Sequence, residues 1–182
     1  MFAEYHLFMK ILAFGASTSS QSINRQFAHF VAGTIPGAEV TELDLRQFTL
    51  PIYSMDEEEG HGVPADAKAF KDLIVSHDAI IVSLAEHNGS YSAAFKNLYD
   101  WVSRMDGKVW AGKPMLLLST SPGARGGASV MEAAKATFPR MGADLKAFFS
   151  LPSFSDNFSP GLGVTDPELA AALGGAVAAF AS

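Results

Sequence analysis

Five short apolar runs, each followed by a segment with helical spacing, constrain the fold of this chain more than any other feature. Each run ends in small or polar residues, as strands do before a connection. Strands that alternate with helices form a parallel sheet covered by helices on both faces. The runs are Ile11–Phe14, Val40–Leu45, Ala79–Leu84, Met115–Leu118 and Leu145–Leu151.

The segments between and after these runs predict five helices. Apolar residues at helical spacing follow a capping residue in each case, and Gly or Pro marks several of the ends. The first helix begins near Ser22, the second follows Pro64, and the third follows the N-cap Ser92 and ends at Gly107. The fourth covers Ser129–Arg140 with Pro139 at its end, and the fifth covers Pro167–Phe180 with Asp166 as its cap. We interpret Pro51–Pro64 as one long loop, and long loops in compact domains are often functional.

We therefore predict an α/β fold with a doubly wound, five-stranded parallel sheet of order 2-1-3-4-5 and helices on both faces. In that order the ligand crevice lies at the carboxyl ends of strands 1 and 3. We expect residues 1–182 to form a single domain. A natural first strand starts at Met9, so we expect Met1–Phe8 to be an N-terminal extension, and the sequence leaves open which of the two methionines starts translation.

The composition excludes several classes of site and partner. The chain has no Cys, which excludes disulfides, thiolate zinc sites, iron–sulfur clusters and a cysteine nucleophile. Lys and Arg number 13 against 19 Asp and Glu, for a net charge of -6, so we expect no nucleic acid and no anionic membrane as partner. No stretch reaches the ~20 apolar residues of a membrane helix. We expect a soluble, cytoplasmic protein.

The first loop, Gly15–Asn24, is crowded with hydroxyl groups and leads directly into a helix. Backbone N–H groups at a helix start favour an anion, and hydroxyls add donors for phosphate oxygens. A terminal phosphate fits this loop. The alternative is a Ser-rich turn that only caps the helix, because Ser is favoured at caps in any case. The residues alone leave both interpretations open.

Several other ligands and reactions are disfavoured because their motifs are absent. The first loop has neither the GxGxxG of a dinucleotide site nor the GxxxxGK[ST] of a P-loop, and the chain has no GxSxG elbow of a serine hydrolase. We interpret the acidic run Asp56–Glu59 as a solvated loop face, and the histidines have no metal-ligand spacing, so we expect no metal site.

Two further loops are predicted at the same edge of the sheet as the first. They are the second loop, Ala85–Ser92, after strand 3, and the third loop, Ser119–Gly127, after strand 4. Both contain Gly and are rich in small hydrogen-bond donors. Together with the first loop they can hold a flat heterocycle whose tail ends in phosphate.

These three loops resemble those of the NADPH-dependent FMN reductase family, flavodoxin-like enzymes that include quinone, azo-dye and chromate reductases. The family motif G-S-x-R-x-x-S-x-N resembles Ala16–Asn24, and P-E-Y-N-x-S resembles Ala85–Ser90. Its K-N-x-x-D-W resembles Lys96–Trp101, and S-x-S-P-G-x-x-G-G resembles Ser119–Gly127. The resemblance covers the chain from Lys10 to about Leu151, and three motifs in order are more specific than any one alone.

The resemblance implies a flavodoxin-like fold, bound FMN, NADPH or NADH as hydride donor, a small-molecule electron acceptor and a homodimer or homotetramer. It places Ser17, Ser19, Ser22 and Asn24 on the phosphate, and Glu86–Gly89 along one edge of the isoalloxazine. Chemistry would be carried by FMN, so no catalytic residue is assigned. The cofactor-binding residues that it implies are Ser17, Ser19, Ser20, Ser22, Ile23, Asn24, Ala85, Glu86, His87, Asn88, Gly89, Ser121, Pro122, Gly123 and Gly126.

The chain departs from the family pattern at three positions. Ser19 stands where many members have Arg, which removes a cation from the phosphate. Ala85 replaces a Pro, and His87 replaces a Tyr near the ring, where it either stacks on the ring or is an ordinary surface histidine.

Two further residues have two interpretations each. Tyr53 either shelters the ring or is an ordinary loop aromatic, and Arg125 either binds a 2'-phosphate or is an ordinary exposed arginine.

Two alternatives to a reductase remain open at the level of the sequence. A flavodoxin-type electron carrier binds FMN on the same fold without a nicotinamide site, although the first loop does not match the T-x-T-G-x-T of that class. A non-enzymatic, flavodoxin-like regulatory module would bind no flavin, and the missing Arg and Pro keep it open.

Overall fold

Five parallel strands form the central sheet of the computed structural model, which describes residues 9–182. The expected extension Met1–Phe8 lies outside the described residues. In chain order the strands pair as β2-β1-β3-β4-β5, so the predicted order is confirmed. The strands are β1 (Lys10–Ala16), β2 (Glu39–Leu43), β3 (Ala79–Leu84), β4 (Pro114–Thr120) and β5 (Asp144–Leu151).

Helices cover both faces of this sheet. Two short antiparallel ribbons, Glu86–His87 with Ser90–Tyr91 and Phe158–Ser159 with Gly163–Val164, extend from it. The helices are α1 (Ile23–Gly33), α2 (Met55–His61), α3 (Ala65–Ser76), α4 (Ala93–Asp106), α5 (Ala128–Thr137), α6 (Phe154–Asn157) and α7 (Pro167–Ala181). None of these helices is long and apolar enough to cross a bilayer.

The sheet separates two hydrophobic cores because alternate residues of a strand point to opposite faces. Leu12 and Phe14 of β1 pack with α3, α4 and α5, whereas Ile11 and Ala13 pack with α1 and α7. The two central strands β1 and β3 are almost entirely buried. Such strands read as continuous apolar runs, which is why the sequence pattern located them.

The boundaries of most elements follow the predicted signals. Ser22 and Ser92 cap α1 and α4, with their hydroxyls accepting from the third amide of each helix. Asp166 caps α7 in the same manner, and Gly107 ends α4 in the left-handed conformation.

Two predicted boundaries are wrong. Pro51–Pro64 is not one long loop, because Met55–His61 forms α2, with the Ser54 hydroxyl accepting from the amide of Glu57. The fourth predicted helix ends at Thr137 rather than Arg140. Pro139 lacks an amide hydrogen to continue the helix, and a 3-10 turn begins there instead.

Gly15, near the end of β1, positions the start of α1. A β-carbon on Gly15 would lie 2.3 Å from the amide nitrogen of Arg25 and 2.7 Å from the carbonyl carbon of Asn24. Only glycine permits this approach of helix and strand. The first turn of α1 is therefore held directly against the carboxyl end of β1.

Candidate functional site

Three serine hydroxyls shape the first loop. Ser17 Oγ accepts from the amide of Ser19 at 3.1 Å, and Ser19 Oγ accepts from the amide of Gln21 at 3.2 Å. Ser22 Oγ accepts from the amide of Arg25 at 3.1 Å. A hydroxyl that accepts a backbone hydrogen bond still has its own proton to donate. The loop thus carries three hydroxyl donors directly before the start of α1.

The start of α1 adds backbone donors. The first amides of a helix have no acceptor within it, and here only that of Arg25 is satisfied by the cap. The first turn contains no acidic residue that would repel an anion. The amides of Ile23 and Asn24 and the positive end of the helix dipole therefore favour an anion beside the serine hydroxyls.

The second loop is a tight hairpin, which the sequence interpretation missed. Glu86–His87 pairs with Ser90–Tyr91, and Asn88 and Gly89 form the two-residue turn with φ values of 53° and 77°. Two left-handed residues in succession define a type I′ turn, and Asn-Gly is its preferred sequence. That dipeptide was the signal for the hairpin. His87, Asn88 and Gly89 are exposed at its tip.

Glu86 ties this hairpin to helix α5. Its Oε2 accepts from the amide of Val130 at 3.0 Å, and Val130 is the third residue of α5. The N-cap of α5 is Gly127, which has no side chain that can accept from the helix. Glu86 therefore supplies a cap from a different part of the chain. Its carboxylate is directed at α5 rather than held free for a ligand.

The third loop is fastened to the segment after β5. Ser121 O accepts from the amide of Phe154, and Gly123 O accepts from the amide of Ser153, both at 3.0 Å. Gly126 is buried, and a β-carbon there would lie 2.9 Å from the carbonyl carbon and oxygen of Leu151. The close approach that Gly126 permits is thus to the end of β5.

Asn24 joins the first loop to the ends of β3 and β4. Its Oδ1 accepts from Ser83 Oγ at 2.7 Å and from the amide of Thr120 at 3.0 Å. Its Nδ2 donates to Thr120 O at 3.1 Å. The side chain is buried, and its two lone pairs and one of its two N–H donors are used within the protein. The Asn24 side chain is therefore part of the framework that holds the three loop origins together.

The three loops surround one cavity of about 270 Å³. A second, more open cavity of about 580 Å³ shares Ser17, Ser19 and His87 with it, so the two form a continuous groove. Ser20, Asn88, Gly89, Gly123 and Gly126 do not line the smaller cavity. The predicted residues that line it are Ser17, Ser19, Ser22, Ile23, Asn24, Ala85, Glu86, His87, Ser121 and Pro122.

Helix α4 anchors the segment before α2. Asn97 Nδ2 and Trp101 Nε1 donate to Pro51 O at 2.9 and 2.8 Å, and the amide of Tyr53 donates to Asn97 Oδ1 at 2.9 Å. Tyr53 packs edge-on against Trp101, and its hydroxyl donates to Glu58 Oε2 at 3.0 Å. Of the two interpretations of Tyr53, an ordinary loop aromatic agrees with these contacts, because Tyr53 lines neither cavity of the groove.

Burial controls the ionisation of two tyrosines near the second loop. Desolvation raises the pKa of Tyr91 and, more strongly, that of Tyr99. Tyr99 and Trp101 are buried in the core on the α4 face of the sheet.

Comparison with known proteins agrees with this architecture. Residues 9–155 match the sequence model of the family described as NADPH-dependent FMN reductase. A 2-hydroxy-1,4-benzoquinone reductase of Burkholderia sp. is 36% identical over 120 residues, which cover 65% of this chain and 63% of that protein. A quinone reductase of Escherichia coli is 31% identical over 106 residues, or 56% of each chain. The aligned region thus spans less than two thirds of these relatives.

A solved structure extends the similarity to nearly the whole chain. FerB from Paracoccus denitrificans, described as a flavoenzyme NAD(P)H:(acceptor) oxidoreductase, superposes with a TM-score of 0.74 at 27% identity and covers 95% of both chains. The apo form of the NADH:FMN oxidoreductase EmoB has the same fold, with a TM-score of 0.69 at 19% identity. The predicted flavodoxin-like fold is confirmed.

Proposed function

The chain belongs to the NADPH-dependent FMN reductase family, and on that basis we propose that it is an NAD(P)H-dependent oxidoreductase that binds FMN in the groove between its three loops. The observation that carries the proposal is the meeting of these loops around one cavity, with hydroxyl and amide donors at the α1 end. No sequence motif by itself brings together residues from the ends of three strands.

The donors present in the groove fit the phosphate of FMN. Ser17, Ser19 and Ser22 offer hydroxyl protons, and Ile23 and Asn24 offer amides at a helix N-terminus. A phosphate monoester carries about two negative charges and needs several donors at once. Among our proposed ligands, Asn24 contributes its backbone amide, since its side chain is held by Ser83 and Thr120.

The other two loops fit a flat ring. His87 and Ala85 on the second loop and Ser121 and Pro122 on the third line the same cavity. The rigid Asn-Gly hairpin and the hydrogen bonds from Ser153 and Phe154 hold both loops in fixed positions. We propose that they flank the isoalloxazine, with Asn88, Gly89 and Gly123 at its rim. His87 remains a residue that stacks on or donates to the ring.

FMN supplies the chemistry when bound, because hydride acceptance from a nicotinamide and electron delivery to an acceptor belong to the cofactor. The protein binds and orients it. Fixed donors toward the ring's polar edge stabilise negative charge that develops there, because they need no reorganisation. The groove has an open side at Thr18, Ala93 and Ala94, where a second planar molecule has access.

We propose a quinone as the class of acceptor. The Burkholderia and Escherichia coli relatives are quinone reductases, and the face of the groove near α4 is apolar. Leu50, Ile52 and Leu98 line a cavity of about 300 Å³ that shares Thr18, Ala93 and Ala94 with the open side. Apolar walls with few polar groups suit small planar ligands.

We further propose that residues 1–182 form one domain that acts in the cytoplasm as a homodimer or homotetramer. Support comes from the absence of Cys and from the family resemblance. Gel filtration with light scattering tests the assembly, since a homodimer or homotetramer would elute at two or four times the mass of the 19.3 kDa chain.

Anaerobic spectroscopy of the purified protein tests the proposed reaction. FMN added to flavin-free protein should bind with a shift of its visible spectrum, and NADPH should then bleach that spectrum within seconds without any other protein present. Addition of a benzoquinone should restore the colour. A flavodoxin-type carrier would bind FMN without reacting with NADPH, and a regulatory module would bind no flavin, so either result contradicts the proposal.

A further inference from the structure

Arg25 links the first loop to the end of β2. It is the third residue of α1, and one of its terminal nitrogens, Nη2, donates to Ser20 O at 2.7 Å. The other, Nη1, donates to Asp44 Oδ2 at 2.6 Å. Asp44 lies directly after β2 and caps the 3-10 turn Leu45–Gln47. A single guanidinium thus joins two loops at the ligand edge of the sheet.

The position of Arg25 is fixed at its backbone as well. Its amide donates to the cap Ser22, and Gly15 of β1 lies so close that a β-carbon would be 2.3 Å from its nitrogen. The side chain is mostly buried, with 19% exposed, and it does not line the smaller cavity. Arg25 therefore contacts the first loop away from the residues that line the groove, because neither Arg25 nor Ser20 lines either cavity.

The ion pair leaves net positive charge behind the loop. Asp44 is shared by two arginines, because Arg46 Nη2 and Nε also donate to its Oδ2 at 2.6 and 2.9 Å. Two guanidinium groups and one carboxylate sum to one positive charge. Glu42, two residues before Asp44 in the sequence, pairs with His29 Nδ1 at 3.1 Å.

The first loop itself has no cation. Ser17–Asn24 contains no Lys or Arg, and Ser19 stands where many family members have Arg. A phosphate dianion held only by hydroxyls and amides lacks a compensating charge close by. The only guanidinium bonded to the loop within the described residues is that of Arg25.

We propose that Arg25 is the positioning residue of the phosphate site, which holds the Ser20 carbonyl away from the anion and places a cation behind the loop. This inference depends on the proposed binding of FMN. A carbonyl oxygen that is bonded to a guanidinium cannot turn its negative end toward a phosphate. The planar fork of Arg suits the role, because it reaches Ser20 and Asp44 in two directions at once.

Comparison of FMN with riboflavin isolates this role, because the two ligands differ only in the phosphate. We expect Arg25→Ala to weaken FMN binding by about tenfold or more and riboflavin binding by less than about twofold, the scale of one charge-assisted hydrogen bond. Arg25→Lys keeps the charge without the fork and should give about a threefold loss for FMN. Isothermal titration measures all of these affinities.

Arg46→Ala is the matched control. It removes the same charge from the same carboxylate, and its side-chain hydrogen bonds within residues 9–182 all go to Asp44. The ratio of FMN to riboflavin affinity should fall by no more than about twofold, because the charge of the exposed Arg46 is screened by solvent and its side chain donates no hydrogen bond to the first loop. An equal loss in the Arg46 and Arg25 variants, or an equal loss of both flavins, overturns the inference.

Hydrogen exchange gives a second readout without any flavin. The amides of Gln21 and Ser22 donate to Ser19 Oγ and Ser19 O, and they should exchange faster in Arg25→Ala but not in Arg46→Ala. If Arg25→Ala changes neither the exchange rates nor the ratio of FMN to riboflavin affinity, the role of Arg25 is contradicted while the proposed function is not. Wild-type protein that binds neither flavin, although exchange responds as expected, instead contradicts the proposed function.

Discussion

Asn24 and Thr120 are 96 residues apart in the sequence and share two hydrogen bonds. The Thr120 amide donates to Asn24 Oδ1 at 3.0 Å, and Asn24 Nδ2 donates to Thr120 O at 3.1 Å. One bond is donated and one is accepted by each partner, as between paired residues of neighbouring β-strands, but here a side chain pairs with the end of β4. Ser83 Oγ of β3 also donates to Asn24 Oδ1. The Asn24 side chain therefore holds the start of α1 against the ends of β3 and β4, where the second and third loops begin.

Replacement of Asn24 should destabilise the whole fold. Asn24→Ala leaves the Ser83 hydroxyl and the Thr120 amide buried without their acceptor, and we expect a loss of about 2–4 kcal/mol in the free energy of unfolding. Urea denaturation measures it. Asn157→Ala, which removes one hydrogen bond to Pro152 O in a half-buried position, should cost about 1 kcal/mol. Equal costs in the two variants would contradict the framework role.

Gly126 should be sensitive to a methyl group because of space as well as backbone conformation. Gly126→Ala places a β-carbon 2.9 Å from Leu151 C and O at a φ of +58°. The control Gly161→Ala has a similar φ of +84° with no atom within 4 Å, and should cost about 1 kcal/mol. We expect Gly126→Ala to cost about 1–3 kcal/mol more, because the loop must move off β5. Thermal unfolding of both variants decides this.

The cap that Glu86 provides should contribute measurably to stability. Glu86→Ala leaves the amide of Val130 without its acceptor, and we expect a loss of about 1 kcal/mol. Glu86→Gln keeps an acceptor oxygen and should lose less. Glu132→Ala, an exposed acid on α5 paired with Lys135, should cost less than about 0.5 kcal/mol. A Glu86→Ala variant as stable as Glu132→Ala in urea would exclude the cap.

Asp44 should make a small part of the stability depend on acid pH. Hydrogen bonding from Arg46, with smaller effects of the Arg46 amide and of Arg25, lowers the pKa of Asp44 from 3.8 to about 2. A carboxyl whose pKa is lower in the folded than in the unfolded protein stabilises the fold at pH values above the unfolded pKa. This contribution is lost as the pH falls from about 4 to about 2. Solvent screens the pair, so we expect less than about 1 kcal/mol.

Melting temperatures of wild type and Asp44→Asn, taken from about pH 5 down to about pH 2, check this dependence. The gap between the two proteins should be largest at the upper end and close toward the lower end. Arg46→Ala, which removes the largest cause of the pKa shift, should flatten the acid dependence of the wild type. A gap that stays constant over the range would show that Asp44 keeps its ordinary pKa.

The sequence by itself determined the fold, the order of the strands and the three loops. Central strands buried on both faces appear as continuous apolar runs, and capping residues such as Ser22, Ser92 and Asp166 mark helix starts through local chemistry. These signals are carried by neighbouring residues, so they can be read without coordinates. The Asn88-Gly89 turn is a local signal of the same kind, since Asn-Gly is the preferred sequence of its turn type.

Only the tertiary structure decided which polar groups of those loops remain free for a ligand. Asn24 is used by Ser83 and Thr120, and Gly126 packs against Leu151, each partner being distant in the sequence. Arg25 meets the first loop only because β2 brings Asp44 beside it. Hydrogen bonding and close packing depend on distances between atoms, and residue types along the chain leave those distances undetermined until the strands pair.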